Sequence, residues 1–238
     1  MERTVSIIIP AWNEAGRIGN TLRELHAIRS GAEAGTPPLW DELLVVDDGS
    51  SDDTFSEALP WADRVLVSPV NLGKGAALEL GAGHALGGIL VFLDADLEAS
   101  ARHLPVLLAP VLSGDADMAV ARLPAPKRRG GFGLVKGLAR FGIRALSGYS
   151  AAAPLSGQRA LRREVLSGAP KLARRFGIEV GLTIDAARAG YRIREVEVPF
   201  RHRETGRDFR GFCHRGRQFI SVGRTLVHKW LFPSRTAP

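Results

Sequence analysis

Ile89-Leu90-Val91-Phe92-Leu93-Asp94-Ala95-Asp96-Leu97-Glu98 is the stretch on which the reading of this chain turns. Five apolar residues, too few for a helix, run straight into three alternate acids. A short continuous apolar run predicts a strand buried on both faces, as in a parallel sheet. The acids fall where that strand leaves the sheet, and in open α/β sheets ligands sit outside the carboxyl ends of the strands. Three carboxylates crowded there repel one another unless they share a cation. Oxygen ligands suit a hard divalent ion, Mg²⁺ or Mn²⁺, which usually also holds substrate phosphates. Asp94, Asp96 and Glu98 are therefore the expected metal ligands.

Upstream, Val5–Pro10 and Glu42–Val46 read as further buried strands and Arg64–Ser68 as a third. Pro10 is expected to end the first, since proline cannot continue a central ladder. Between the first two, Ile18, Leu22, Leu25 and Ile28 recur at helical spacing, with Asn13 as the expected cap. The second strand runs into Asp47-Asp48-Gly49-Ser50, where Gly49 makes a turn and Ser51 or Asp52 caps a short helix. Asn71-Leu72-Gly73-Lys74-Gly75 opens another helix. A Gly-rich turn with a lysine at a helix N-terminus is a phosphate cradle by expectation, although the spacing and Ser/Thr of a Walker P-loop are missing. Strands alternating with helices predict a parallel sheet with right-handed crossovers.

Downstream, helices are expected at His103–Leu112, Leu134–Leu146, 162–167 and Ile178–Ala189. Asp117–Ala121 reads as a short strand, Leu155–Ala160 as a short extended segment, and Arg192–Val198 as a half-exposed strand. Two loops are basic. The first, Arg122–Gly133, holds Arg122, Lys127, Arg128 and Arg129 among prolines and glycines, and is expected to be mobile. The second, Arg201–Arg210, holds His202, Arg203 and Arg207. Residues 211–232 form a last helix with Phe212, Phe219, Val222, Leu226 and Trp230 along one side. That stripe either packs on the core or lies on a membrane surface as a basic amphipathic helix. The expected division is a domain over 1–210 and a basic helix with its tail over 211–238.

At 238 residues and 45% hydrophobic content the chain can bury one large core. Its single cysteine, Cys213, excludes a disulfide framework, and no Cys/His cluster has zinc spacing. No run approaches a membrane span, and Val5–Pro10 is too short for a signal peptide. A cytoplasmic protein is expected, peripheral at most on the cytoplasmic membrane face. Residues 1–120 hold 7 Lys+Arg against 18 Asp+Glu, a balance of −11, and residues 121–238 carry +18. An acidic half with metal-type carboxylates and a basic half suit two anionic ligands or surfaces. With few aromatics and no nucleic-acid motif, no nucleic-acid partner is expected.

Ile9-Pro10-Ala11-Trp12-Asn13-Glu14, Val46-Asp47-Asp48-Gly49-Ser50, Asn71-Leu72-Gly73-Lys74-Gly75 and Asp94-Ala95-Asp96 occur in that order. The ordered set resembles family 2 glycosyltransferases of the GT-A fold, in pattern the dolichol-phosphate mannose synthase-like, polyprenyl-phosphate glycosyltransferase branch. Ser156-Gly157-Gln158-Arg159-Ala160 is similar to that branch's Ser-Gly-Phe-Arg-Ala, and Arg203-x-x-Gly206 to its late Arg-x-x-Gly. The resemblance implies an α/β GT-A fold: a Rossmann-like, mostly parallel central sheet with helices on both faces, to which a C-terminal amphipathic helix is added here. It implies that Pro10, Ala11 and Glu14 line the base and ribose pocket of a UDP- or GDP-sugar. Asp48 would accept a hydrogen bond from the base as an unpaired acceptor, and Lys74 would sit near the diphosphate. Asp94 and Asp96 would hold ribose and Mg²⁺ or Mn²⁺, with Glu98 at the third position of the Asp-x-Asp-x-Gln pattern. Arg122 would face the acceptor phosphate and Arg203 would close over the donor phosphates. Asp96, Arg122 and Arg203 are thus the expected catalytic residues.

The activity so implied is metal-dependent, inverting transfer of a sugar to an anionic acceptor, with a polyprenyl (dolichyl or undecaprenyl) phosphate first. An ionised phosphate needs no general base, and Tyr149–Leu155 holds no carboxylate. A hydroxyl acceptor would need one, with Glu179 as the candidate. The alternative is a soluble glycosyltransferase acting on a phosphorylated metabolite or hydroxyl acceptor; the distant one is a non-catalytic nucleotide-sugar binding module. Two departures bear on the acceptor: Arg207-Asp208 stands where the branch has Ser-Lys, and Gln158 where it has an aromatic.

Overall fold

The computed structural model describes residues 4–29, 37–124, 133–167, 177–201 and 209–232. In chain order the elements are β1 (Val5–Ala11), α1 (Ile18–Ala27), β2 (Glu42–Asp47), α2 (Thr54–Ala58), β3 (Arg64–Val67), α3 (Lys74–His84) and β4 (Ile89–Phe92). A 3₁₀ turn (Glu98–His103) leads into α4 (Leu104–Leu112). There follow β5 (Met118–Arg122), α5 (Leu134–Ser147), β6 (Arg159–Arg162), α6 (Arg163–Ser167), α7 (Ile178–Arg188), β7 (Ile193–Glu197) and α8 (Phe209–Leu231). One seven-stranded sheet has the order β3-β2-β1-β4-β6-β5-β7. All pairs are parallel except those of β6, which is antiparallel to both β4 and β5.

Successive strand residues point to opposite faces. Ile7, Ile9, Leu43, Val45 and Val91 fall on one side, under α1 and α4. Ile8, Leu44, Val46, Leu90 and Phe92 fall on the other, under α3 and α7. This double burial is why the strands are continuously apolar. A third cluster joins α5, α7 and α8 through Ala139, Ile143, Val180, Ile184 and Val222. Gly142 permits it: a Cβ there would collide with Leu226.

Two local expectations are corrected. Pro10 does not end β1; it pairs with Val46 of β2, and Ala11 with Asp47. Proline is tolerated because the β1–β4 ladder has already ended at Ile8–Phe92. Asn13 does not cap α1, whose cap position is Arg17. Asn13 instead sits at φ 54° and accepts a hydrogen bond from the Ser51 amide at 2.8 Å, tying the β1–α1 turn to the β2–α2 turn.

Candidate functional site

The carboxyl ends of β1, β2 and β4 converge on one edge of the sheet, and the turn Leu93–Leu97 leaves β4 there. Thr21 of α1 pins this turn. Its hydroxyl donates to the Ala95 carbonyl at 2.7 Å and accepts from the Glu98 amide at 2.8 Å. β4 ends at Phe92, so the acids lie in a turn and their alternation no longer implies a common face. Asp94 and Asp96 are half-buried, whereas Glu98 is exposed at φ 45° at the start of the 3₁₀ turn. Among the described residues no group of three or more His, Cys, Asp or Glu gathers as metal ligands, so Glu98 is not drawn into a set with the two aspartates.

Glu14 takes Glu98's place in the electrostatics of the turn. Burial raises its carboxyl above the usual range; a hydrogen bond from Arg17 opposes this, and the charges of Asp96 and Asp94 add to it. Three acids thus share one field, and a divalent cation would relieve it. Mg²⁺ is usually held by one or two carboxylates and completed by substrate phosphates. Asp94 and Asp96 fit that donor set without a third protein ligand.

Asp94 heads a row of linked polar groups. Its Oδ1 accepts from Lys74 Nζ at 2.5 Å, and its Oδ2 from Gln158 Nε2 at 2.5 Å. Lys74 Nζ also lies 3.6 Å from Glu179 Oε1, in the first turn of α7. Burial alone would lower the pKa of Lys74, but Asp94 and Glu179 outweigh it and hold the pKa above the ordinary lysine value. The row Gln158–Asp94–Lys74–Glu179 therefore spans the site with the lysine charged. Gly157 leaves it room. A Cβ there would collide with Lys74 Nζ and lie 3.3 Å from Asp94 Oδ1. Gly157→Ala is expected to displace the flexible lysine end at a stability cost below about 1 kcal/mol, yet to reduce turnover by roughly 10²-fold. A thermal melt and a turnover assay on one preparation check this.

The Asn71–Gly75 turn is not an open phosphate cradle. Asp48 is buried, and its two carboxylate oxygens accept from the Leu72 and Gly73 amides at 2.9 and 2.7 Å. Asp48 is thus not an unpaired acceptor; it fixes the turn that aims Lys74, and only its remaining lone pairs face elsewhere. Asp47 caps backbone at Ser50. Pro10 and Ala11 close the β1 end beside it, where the Ala11 carbonyl accepts from the Asp48 amide at 2.8 Å. Arg122 ends β5, one residue after Ala121, whose amide donates to the Gln158 carbonyl at 3.0 Å, and it is ion-paired with Glu197 at the end of β7. Arg203, with His202, Arg207 and the lysine and arginines at 127–129, lies outside the described residues.

Two site features escaped the sequence reading. Gln158 was visible only as a departure from an aromatic, which was the available signal for its contact with Asp94. Arg159 is buried behind it. Its Nη1 donates to Thr183 Oγ1 at 2.9 Å and its Nε to the Ser156 carbonyl at 3.0 Å. Burial pushes its pKa down to about 10 despite Glu179 and Glu195.

The seven-stranded, mostly parallel sheet with the acidic turn at its carboxyl edge is a glycosyltransferase fold of the GT-A type. The glycosyl transferase family 2 model matches residues 6–167, and the chain belongs to that family. It is 33% identical over 204 residues to glucosyl-3-phosphoglycerate synthase of Mycobacterium tuberculosis, an alignment covering 77% of this chain and 60% of that protein. The chain thus spans about 60% of the length of that curated relative. A crystal structure of the M. tuberculosis enzyme with Mn²⁺, UDP-glucose and phosphoglyceric acid superposes with a TM-score of 0.78 at 30% identity, covering 98% of this chain and 81% of that one. A Drosophila melanogaster dolichyl-phosphate beta-glucosyltransferase is 41% identical over 99 residues, 39% of this chain and 30% of its own.

Proposed function

We propose that this protein transfers a sugar from a UDP-sugar, glucose first, to the hydroxyl of a small phosphorylated acid such as 3-phosphoglycerate. The observation that carries the reading is Lys74 held between Asp94 and Glu179. It couples a donor-side carboxylate to an acceptor-side one through a single cation. The likeness to the synthase over nearly the whole chain supports the acceptor class better than the shorter likeness to the dolichyl-phosphate enzyme.

Asp94 and Asp96 would hold Mg²⁺ or Mn²⁺, which when bound supplies the positive charge that stabilises a leaving diphosphate. Lys74 adds a second positive charge on the same side, half-buried and pre-placed by Asp94 and Glu179, where it acts without reorganisation. Asp48 keeps the Lys74 turn in place, and Pro10, Ala11 and Glu14 bound the nucleotide end. Glu179 takes the proton of the acceptor hydroxyl. Arg122, with the basic segment that follows it, attracts the acceptor's phosphate. Arg203 is assigned to the donor phosphates by family likeness alone.

A polyprenyl phosphate is the second reading, favoured by the dolichyl-phosphate relative. The two differ in one requirement. A hydroxyl nucleophile needs a base; an ionised phosphate does not. Glu179→Gln is expected to lower kcat by about 10²- to 10⁴-fold while donor affinity by calorimetry stays within about threefold. Undiminished kcat would turn the assignment to the lipid phosphate. Arg122→Ala is expected to raise the acceptor KM roughly tenfold and to leave donor affinity alone; an equal loss of both in the same assays would remove Arg122 from the acceptor side.

A further inference from the structure

α8 has two apolar faces, and among the described residues only one of them is covered. Val222, Thr225 and Lys229 are buried on the inner face, and Leu226 meets Gly142 of α5. The stripe expected along one side of this helix therefore splits. Val222 and Leu226 turn inward, while Phe219 and Trp230 stand outside, 43% and 69% exposed. Ile220, Val227, Leu231 and Phe232 are exposed with them, and Gly223, Arg224 and His228 share that outer surface. A contiguous apolar surface of this kind on a folded domain marks an interaction site.

Charge selects the occupant. α8 carries Arg210, Arg215, Arg217, Arg224 and Lys229 and not one acid, within a half of the chain that is +18. Lys229 is neutralised by its buried ion pair with Asp185; Arg224 lies on the outer apolar surface. A second copy of this helix, which holds no acid, would offer the exposed Arg224 no partner, so charge does not favour self-association. An anionic lipid surface meets both features. Apolar side chains enter the acyl boundary, the Trp230-Leu231-Phe232 end suits the interface, and the Arg224 guanidinium stays among the headgroups. The geometry is that of a helix lying on a surface: among the described residues no helix is long and apolar enough to span one. We infer that the outer face of α8 docks on an anionic membrane surface. This stands whichever acceptor the enzyme uses.

The test is vesicle sedimentation of the whole protein. Vesicles of phosphatidylglycerol with phosphatidylcholine are compared with phosphatidylcholine alone, at about 0.05 M and about 0.5 M salt, conditions that change the screening length about threefold. Wild type is expected to sediment with the anionic vesicles at low salt, less at high salt, and not with the neutral ones. Ile220→Asp/Val227→Asp changes only exposed side chains, so circular dichroism should report an unchanged fold, and partitioning should fall by about tenfold or more. Arg224→Glu should lower binding at low salt more than at high salt. Wild type left in the supernatant with anionic vesicles at low salt overturns the inference. So does a double variant that binds like wild type, because other charges then do the binding. A dimer in analytical ultracentrifugation that the double variant splits also overturns it, by making the face a subunit interface.

Discussion

Asp96→Asn is expected to abolish nucleotide-sugar turnover, lowering kcat by roughly 10³-fold or more, while the protein stays folded. The expectation rests on charge. Asp96 and Asp94 share a field with Glu14, whose carboxyl burial and those neighbours hold above the usual range. Removing one negative charge relaxes the repulsion in the metal-free protein, so its melting temperature should stay level or rise. It also removes one of the two carboxylates available to an ion that usually takes only one or two from protein. The rise in melting temperature that Mn²⁺ with UDP gives the wild type should therefore vanish. A variant that melts lower without metal and still responds to Mn²⁺ would mean that Asp96 serves the fold and not the ion. Glu98→Gln is the internal contrast: exposed and apart from the aspartates, it should change turnover by less than about threefold.

The largest effect on stability is expected at Asp185→Ala. Asp185 and Lys229 form a buried ion pair between α7 and α8, and Arg188 Nη1 donates to the Lys229 carbonyl at 2.9 Å. Removing one partner strands a desolvated charge, which costs about 3–5 kcal/mol. The double variant Asp185→Leu/Lys229→Met replaces the pair by apolar side chains of similar bulk and should recover most of that loss. Urea unfolding of the three proteins checks the order. A single variant within about 1 kcal/mol of wild type would show that the pair is not desolvated in solution. Because α7 also presents Glu179, turnover should fall with stability in the single variant and return in the double one.

How much of this could be read in the sequence depends on where the deciding interactions lie. β1, β2 and β4 were legible because both faces of each are buried, and double burial writes itself as a continuous apolar run. The place of Asp94 and Asp96 followed from the end of such a run. What failed was long-range. β6 reads locally only as a short extended segment; that it inserts antiparallel between β4 and β5 is decided by pairing partners 39 to 73 residues away in sequence, and the Gln158–Asp94 hydrogen bond likewise spans 64. Glu98 follows the alternation of acids, but the strand stops at Phe92 and Thr21 turns the chain. Asp48 looks like a free acceptor until Leu72 and Gly73 are folded onto it. α8 is apolar on two sides, so its periodicity cannot say which side meets the core.

The central claim is that the row Gln158–Asp94–Lys74–Glu179, together with Asp96, performs metal-dependent glycosyl transfer to a phosphorylated hydroxy acid. It is tested most directly by mass spectrometry of the products formed from UDP-glucose and 3-phosphoglycerate by the wild-type protein, with Mn²⁺ and with EDTA. A hexosyl adduct of phosphoglycerate formed with Mn²⁺, lost in EDTA and lost in Asp96→Asn is the predicted result; an adduct of the same yield in EDTA, or none with Mn²⁺ while polyprenyl phosphate is glycosylated, would contradict it.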